Sequence, residues 1–172
     1  KTKYPLVVVS EQEKQILAKL KEETGRPDFV FVHASGKYLE LTMSGWREIG
    51  IEPVGILNAA DIFQYHPCEQ KDEFKCSVGF IGGYWGYKSS GLNEYILPLC
   101  NPQYNLNVKI FGNQSWPVAQ YLCNIDDENA KHLFSSAKIC VSVSEPHSRS
   151  LGFDCIERPF KVMASGGCCI SD

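Results

Sequence analysis

Short apolar runs and amphipathic stretches alternate along this chain, and that alternation sets the expected fold. Pro5–Val9, Asp28–Val32 and Glu52–Leu57 are rich in Val, Ile, Leu and Phe and read as buried strands. Between them, Glu11–Glu23 is charged, with Ile16, Leu17 and Leu20 in helical register, and Gly25–Pro27 is a turn. Tyr38–Ile49 is a second amphipathic helix, ended by Gly50. Residues 60–74 then lose all periodicity, and the rhythm restarts. Strands are expected near 5–9, 28–32, 53–57, 76–81, 107–111, 138–143 and 168–171. Helices are expected at Gly91–Leu99 and at Asp126–Ser136, the latter capped by Asp126 or Asp127. A repeated β-α-β pattern predicts an α/β fold of Rossmann-like, mostly parallel sheets with helices on both faces. Two sheets splitting near residues 60–74 are expected rather than one.

The last segment, Cys155–Asp172, carries the densest chemistry. It reads as a polar loop, a short helix, a glycine stop and a buried strand over Cys168–Ile170. Pro159 suits a first helical turn, where its missing N–H costs nothing. Phe160, Met163 and Ala164 share one face, and Gly166 and Gly167 supply a left-handed stop. In an open α/β sheet such a helix N-terminus faces the ligand crevice, which places Arg158 well for an anion.

Composition narrows the function classes. The chain has 172 residues, 44% of them hydrophobic, and a net charge of −3. A nucleic-acid surface would need clustered basic residues, so nucleic acid is not expected as a partner. No run of 18 apolar residues occurs, so no transmembrane segment is expected. The chain starts with Lys1 rather than Met, which reads as a trimmed or excised piece. None of the eight cysteines forms a Cys-x-x-Cys pair, which argues against structural zinc. Several lie in apolar runs and read as small buried hydrophobes; reduced thiols in a cytoplasmic or otherwise intracellular setting are expected.

Three further places hold candidate chemistry. Gly82-Gly-Tyr-Trp-Gly86 follows a strand and precedes a helix, with Lys88 just beyond. Gly82, Gly83 and Gly86 let backbone N–H groups approach a pyrophosphate, although an ordinary glycine-rich turn has the same composition. Tyr84 and Trp85 either wall a ligand site or cover the core edge. Glu145, His147 and Arg149 lie in the loop after a sheet strand, where loops line the crevice. Arg158 can chelate a diphosphate with two parallel hydrogen bonds, or else pair with Glu157 at the surface.

Taken in order, Ala59-Ala-Asp61, Gly79-Phe-Ile-Gly82, Ile110-Phe-Gly112 and the Arg158–Gly167 segment resemble GT-B glycosyltransferases of the spore-maturation type. In the last motif Arg158, Phe160, Ala164, Gly166 and Gly167 match, and the likeness covers about residues 51–172. It implies a donor-binding domain over 76–172, a connector over 61–75 and the end of an acceptor-side Rossmann-like domain over 1–60. It also implies a missing C-terminal piece, because two-domain enzymes of this type need roughly twice this length, more than one ~150-residue domain supplies. The implied reaction moves a sugar from a nucleotide-sugar donor to a carbohydrate or glycoconjugate acceptor hydroxyl, without a cofactor or bound metal. Gly82, Gly83, Gly86, Lys88, Glu145, His147, Arg158 and Lys161 would contact the donor. His33, after the strand at 28–32, would be the general base on the acceptor side.

Lys161 departs from the pattern, since the family carries Glu there, a carboxylate suited to ribose hydroxyls. A lysine cannot accept those hydrogen bonds. It lies three residues after Arg158, so the two cations share a helix face. A shifted donor mode, a different donor and a catalytically degenerate binding domain are the alternatives it leaves open, with Glu157 as a substitute carboxylate; a nucleotide-sugar epimerase, which shares the implied architecture, is a further alternative.

Overall fold

Parallel pairing runs through the computed structural model of this chain, which describes residues 15–16, 18–19, 22–23, 28–32, 36–48, 50–151 and 155–172. The expected strand at 5–9, the turn at 25–27 and His33 lie outside the described residues. Within the expected first helix, those described between 15 and 23 are helical. The chain divides near residue 57 into two compact units, the second made of Asn58–Ser150 with Cys155–Asp172.

In the first unit, β1 (Phe29–Val32) pairs in parallel with β2 (Glu52–Gly55), with Phe31 opposite Val54. The single helix expected over 38–49 is two, α1 (Gly36–Met43) and α2 (Gly45–Glu48), separated at Ser44. Gly50 takes φ +73°, and β2 starts two residues later. Arg47 bridges these elements, its Nη atoms donating to Glu40 at 2.8 and 3.0 Å and its Nε to Glu52 at 3.0 Å.

The second unit holds a five-stranded, all-parallel sheet in the order β5-β4-β3-β6-β7. Its strands are β3 (Cys76–Ile81), β4 (Val108–Phe111), β5 (Tyr121–Cys123), β6 (Ala137–Ser142) and β7 (Cys169–Ser171). Helices α3 (Ser89–Tyr95), α4 (Asp127–Ser136), α5 (Pro146–Leu151) and α6 (Glu157–Ala164) complete it. This is a Rossmann-like α/β arrangement with helices on both faces of the sheet. Successive strand residues point to opposite faces, so each face gets its own core. Val78, Phe80, Val108 and Ile110 pack with Leu92, Ile96 and Trp116. On the other face Phe111 and Cys140 pack with Ala130, Leu133 and Phe134 of α4 and Val162 of α6.

Local chemistry explains where elements stop. Pro98 lacks an N–H, so α3 ends and a 3-10 turn over Leu97–Cys100 replaces the helix expected to reach Leu99. Asp126 is the cap of α4, accepting from the Asn129 N–H at 2.7 Å. After α6, Gly166 takes φ +78°; its N–H donates to the Met163 carbonyl, and that of Gly167 to Val162. The three-residue β5 has no counterpart in the periodicity, being too short to show one. The buried strand expected at Cys168–Ile170 is corrected. β7 lies at the sheet edge, Cys168 is exposed and Ile170 is 53% exposed.

Residues 60–74, aperiodic in sequence, are part of the second unit. Tyr65 is 2% exposed and Phe74 is buried, both in the core beneath α4. All eight cysteines are free thiols. Among the described residues, no helix is long and apolar enough to cross a membrane.

Gly167 sets a test of this packing. A Cβ there would lie 2.4 Å from the Phe134 carbonyl oxygen and 3.0 Å from Val162. The obstacle is backbone, which cannot turn aside. Gly167→Ala is expected to destabilise the second unit by about 1–3 kcal/mol, the usual cost of overpacking, read by urea unfolding.

Candidate functional site

A cleft of about 360 Å³ opens at the C-terminal ends of β3 and β6, within the second unit. It is lined by Gly82 and Gly83 after β3, Ser144 and Glu145 after β6, and Glu157, Arg158 and Lys161 of α6. Tyr65, Asp127, Lys88 and Phe80 complete its polar and aromatic wall. Such a crevice beyond the strand carboxyl ends is where open α/β sheets bind ligands.

The turn after β3 can enter this space because three glycines lie against one another. The Gly82 N–H donates to the Phe111 carbonyl at 2.7 Å, continuing the β3–β4 ladder. A Cβ on Gly112 would fall 2.5 Å from the Gly82 oxygen, and one on Gly82 would fall 2.8 Å from the Phe80 ring. Gly83 is equally confined, by the Trp85 indole nitrogen at 2.6 Å. The Trp116 indole N–H donates to the Gly82 carbonyl at 2.8 Å.

Arg158 is the second residue of α6. Its guanidinium lies 4.9 Å from the Phe80 ring centre, and its Nη2 lies 3.3 Å from where a Gly82 Cβ would stand. Its Nη1 is buried and has no hydrogen-bond partner among the described residues. Burial pushes this guanidinium below its ordinary pKa, with Cys169 and Asp172 nearby acting in the opposite direction. The surface pairing with Glu157 is not seen; Glu157 is the first residue of α6 and pairs with Lys161 instead.

Lys161 is held on two sides. Its Nζ lies 3.1 Å from Glu157 Oε1 and 4.8 Å from the Tyr65 ring centre. The Tyr65 hydroxyl in turn donates to Asp127 at 2.9 Å. Partial burial lowers the Lys161 pKa, but Glu157 and Tyr65 outweigh it and hold the ammonium above its ordinary value. Burial and the bond to Asp127 likewise push the Tyr65 phenol up. Lys88 forms an ion pair with Glu145, so that cation also brings its own carboxylate.

The structure therefore brings Gly82, Gly83, Lys88, Glu145, Arg158 and Lys161 to one cleft. Gly86 opens a 3-10 turn and is not part of the lining. His147 lies on α5, and His33 is outside the described residues. Arg149 points elsewhere: it donates to Glu94 at 3.0 Å and to the Tyr95 hydroxyl at 2.9 Å, and pairs with Asp172 at 3.0 Å. Asp172 also accepts the Ser144 N–H at 2.9 Å, bracing the loop that carries Glu145. Tyr84 covers the core edge, packing 5.2 Å from Trp116 and donating to Asn93, and Trp85 is outside the lining as well. Among the described residues no group of three or more His, Cys, Asp or Glu is arranged to hold a metal ion.

Tyr65, Asp127 and Trp116 escaped the reading of the sequence. Tyr65 sits in an aperiodic stretch, and Trp116 lies in a loop with no motif. Asp127 had a visible signal, because only one of two adjacent aspartates can cap α4; the other is left for a different task.

Lys161→Glu tests the role of this lysine. The variant sets two carboxylates four residues apart on one helix face and removes the cation from Tyr65. It is expected to lower stability by about 1 kcal/mol, the combined scale of a helical ion pair and a cation–π contact. Chemical denaturation reads this out; an unchanged midpoint would show that Lys161 is not braced as described.

No protein-family model matches the chain, and no curated protein matches it.

Proposed function

We propose that this chain is the donor-binding part of a GT-B-type glycosyltransferase, moving a sugar from a nucleotide-sugar donor to an acceptor hydroxyl. The observation that carries this reading is Arg158, a guanidinium whose buried Nη1 has no partner among the described residues, beside a glycine turn. A buried donor without a partner is costly to the free protein, and an anionic ligand or an ordered water relieves that cost. Lys88 and Lys161 already hold carboxylates. A ligand with one compact anionic group and a neutral, hydroxyl-rich remainder fits this charge distribution.

In the proposed reaction, the acceptor oxygen bonds to the anomeric carbon as that carbon's bond to the diphosphate oxygen breaks. The electron pair leaves with the nucleoside diphosphate, where Arg158 offsets the developing charge. The hydroxyl proton passes to a base, for which His33 is the candidate. Parallel strands in both units are what a two-Rossmann architecture requires. Glu157 and Asp127 supply carboxylates for sugar or ribose hydroxyls, in place of the one that Lys161 displaces.

A second reading, a GT-B-like domain that binds without catalysis, draws on that same displacement. Release of nucleoside diphosphate from a nucleotide sugar separates transfer from mere binding and from epimerisation.

A thermal-shift panel of nucleoside diphosphates and nucleotide sugars tests the binding step, since a ligand of the folded state raises its Tm. Arg158→Ala is expected to weaken nucleoside diphosphate binding by about 1.5–3 kcal/mol, the scale of a charge-assisted hydrogen bond, measured by calorimetry. Arg158→Met keeps a side chain over Phe80 and removes the buried charge. It is expected to leave the ligand-free Tm unchanged or raised while binding is lost. Wild-type affinity in both variants would overturn the reading.

A further inference from the structure

The peptide between Gly82 and Gly83 carries a donor that the described chain leaves unused. The Gly82 carbonyl accepts from the Trp116 indole N–H, and the Gly82 N–H donates to Phe111. The Gly83 carbonyl accepts from the Trp85 N–H at 3.1 Å, but the Gly83 N–H donates to no described group. A trans peptide is planar, so its C=O and N–H point in opposite directions. Gly82 and Gly83 line the cleft and Trp116 does not. The carbonyl points to Trp116, which puts the Gly83 N–H on the opposite side of the peptide.

We infer that Trp116 is a positioning residue: its indole N–H fixes the Gly82–Gly83 peptide so that the Gly83 N–H faces the cleft as a second donor, beside Arg158, to phosphate oxygens. This rests on the anion-binding reading above. Glycines on both sides leave this peptide free to rotate unless something holds it. Rotated, it would present its carbonyl oxygen to the ligand and repel an anion. Trp116 is well anchored for the task, edge-on to Phe80 at 5.4 Å and packed on Tyr84 at 5.2 Å. The other face of the arrangement is shared too, because the Phe80 ring carries the Arg158 guanidinium. One aromatic pair therefore sets the position of both donors.

The test uses the whole chain, inorganic pyrophosphate as the probe, and two changes at one position. Trp116→Phe removes the N–H. Replacement of Trp116 by benzothienylalanine, a tryptophan isostere with sulfur in place of the N–H, removes it while keeping ring size and packing. In the wild type, the Gly83 amide resonance should move downfield as pyrophosphate is added. Both variants should bind pyrophosphate roughly five- to tenfold more weakly, the scale of one hydrogen bond to a charged group. In both, the Gly83 resonance should lose its response. Arg158→Lys should weaken binding yet leave that response in place, which a general loss of structure would not do. Wild-type affinity with an intact Gly83 response in the isostere variant overturns the role of Trp116. Binding by the wild type that depends on Arg158 but leaves Gly83 unmoved overturns it too, with the anion reading left standing. Absence of pyrophosphate binding to the wild type overturns both.

Discussion

The cleft depends on how closely the turn after β3 can approach the end of β4. A Cβ at Gly112 would stand 2.5 Å from the Gly82 oxygen, so any side chain there would push the turn off the sheet. With glycine at both points, the β3–β4 ladder extends one bond further, through the Gly82 N–H and the Phe111 carbonyl. The turn is then held against the C-terminal end of β4, with the Phe80 ring and Arg158 alongside. Close backbone approach is a use of glycine distinct from its left-handed conformations, and φ is not positive at either residue.

Charge is arranged around this turn with an asymmetry. Two of the cleft's cations arrive with their own counterions, Lys88 with Glu145 and Lys161 with Glu157. The third, Arg158, has an aromatic face and, among the described residues, no hydrogen-bond partner for its buried Nη1. Paired lysines shape the wall and fix the orientation of Glu157 and Glu145, while the guanidinium holds a buried donor with no described partner. The distinction suits the chemistry of the two side chains, since a guanidinium is more weakly hydrated and tolerates burial on an aromatic face.

Much of the second unit was legible in the sequence because its central strands are short and rich in buried apolar residues. Val78, Phe80, Val108 and Ile110, two residues apart on adjacent strands, show by composition and spacing the face that packs against Leu92 and Ile96. The glycine stop after α6 and the aspartate cap of α4 are equally direct, being local effects with local signals. What failed to show was set by distant contacts. The exposure of Ile170 follows from β7 being an edge strand, which the apolar run at its start conceals. Tyr65 and Trp116 act through partners 62 and 34 residues away, and no periodicity encodes those separations. Arg149, expected on a loop at the crevice, lies on α5 and is held by Glu94, Tyr95 and Asp172.

The eight free thiols grade the chain by accessibility. Cys123, Cys155 and Cys168 are exposed, Cys68 and Cys169 are partly covered, and Cys76, Cys100 and Cys140 are buried. Burial, with other thiols close by, pushes the Cys140 thiol up to about 12, far from the thiolate form that reacts. An alkylating reagent therefore meets a sequence of gates, from surface sulfurs to one between β3 and β7 that opens only when the sheet comes apart. The order in which the sulfurs are modified is a record, written covalently, of the order in which the protein loosens.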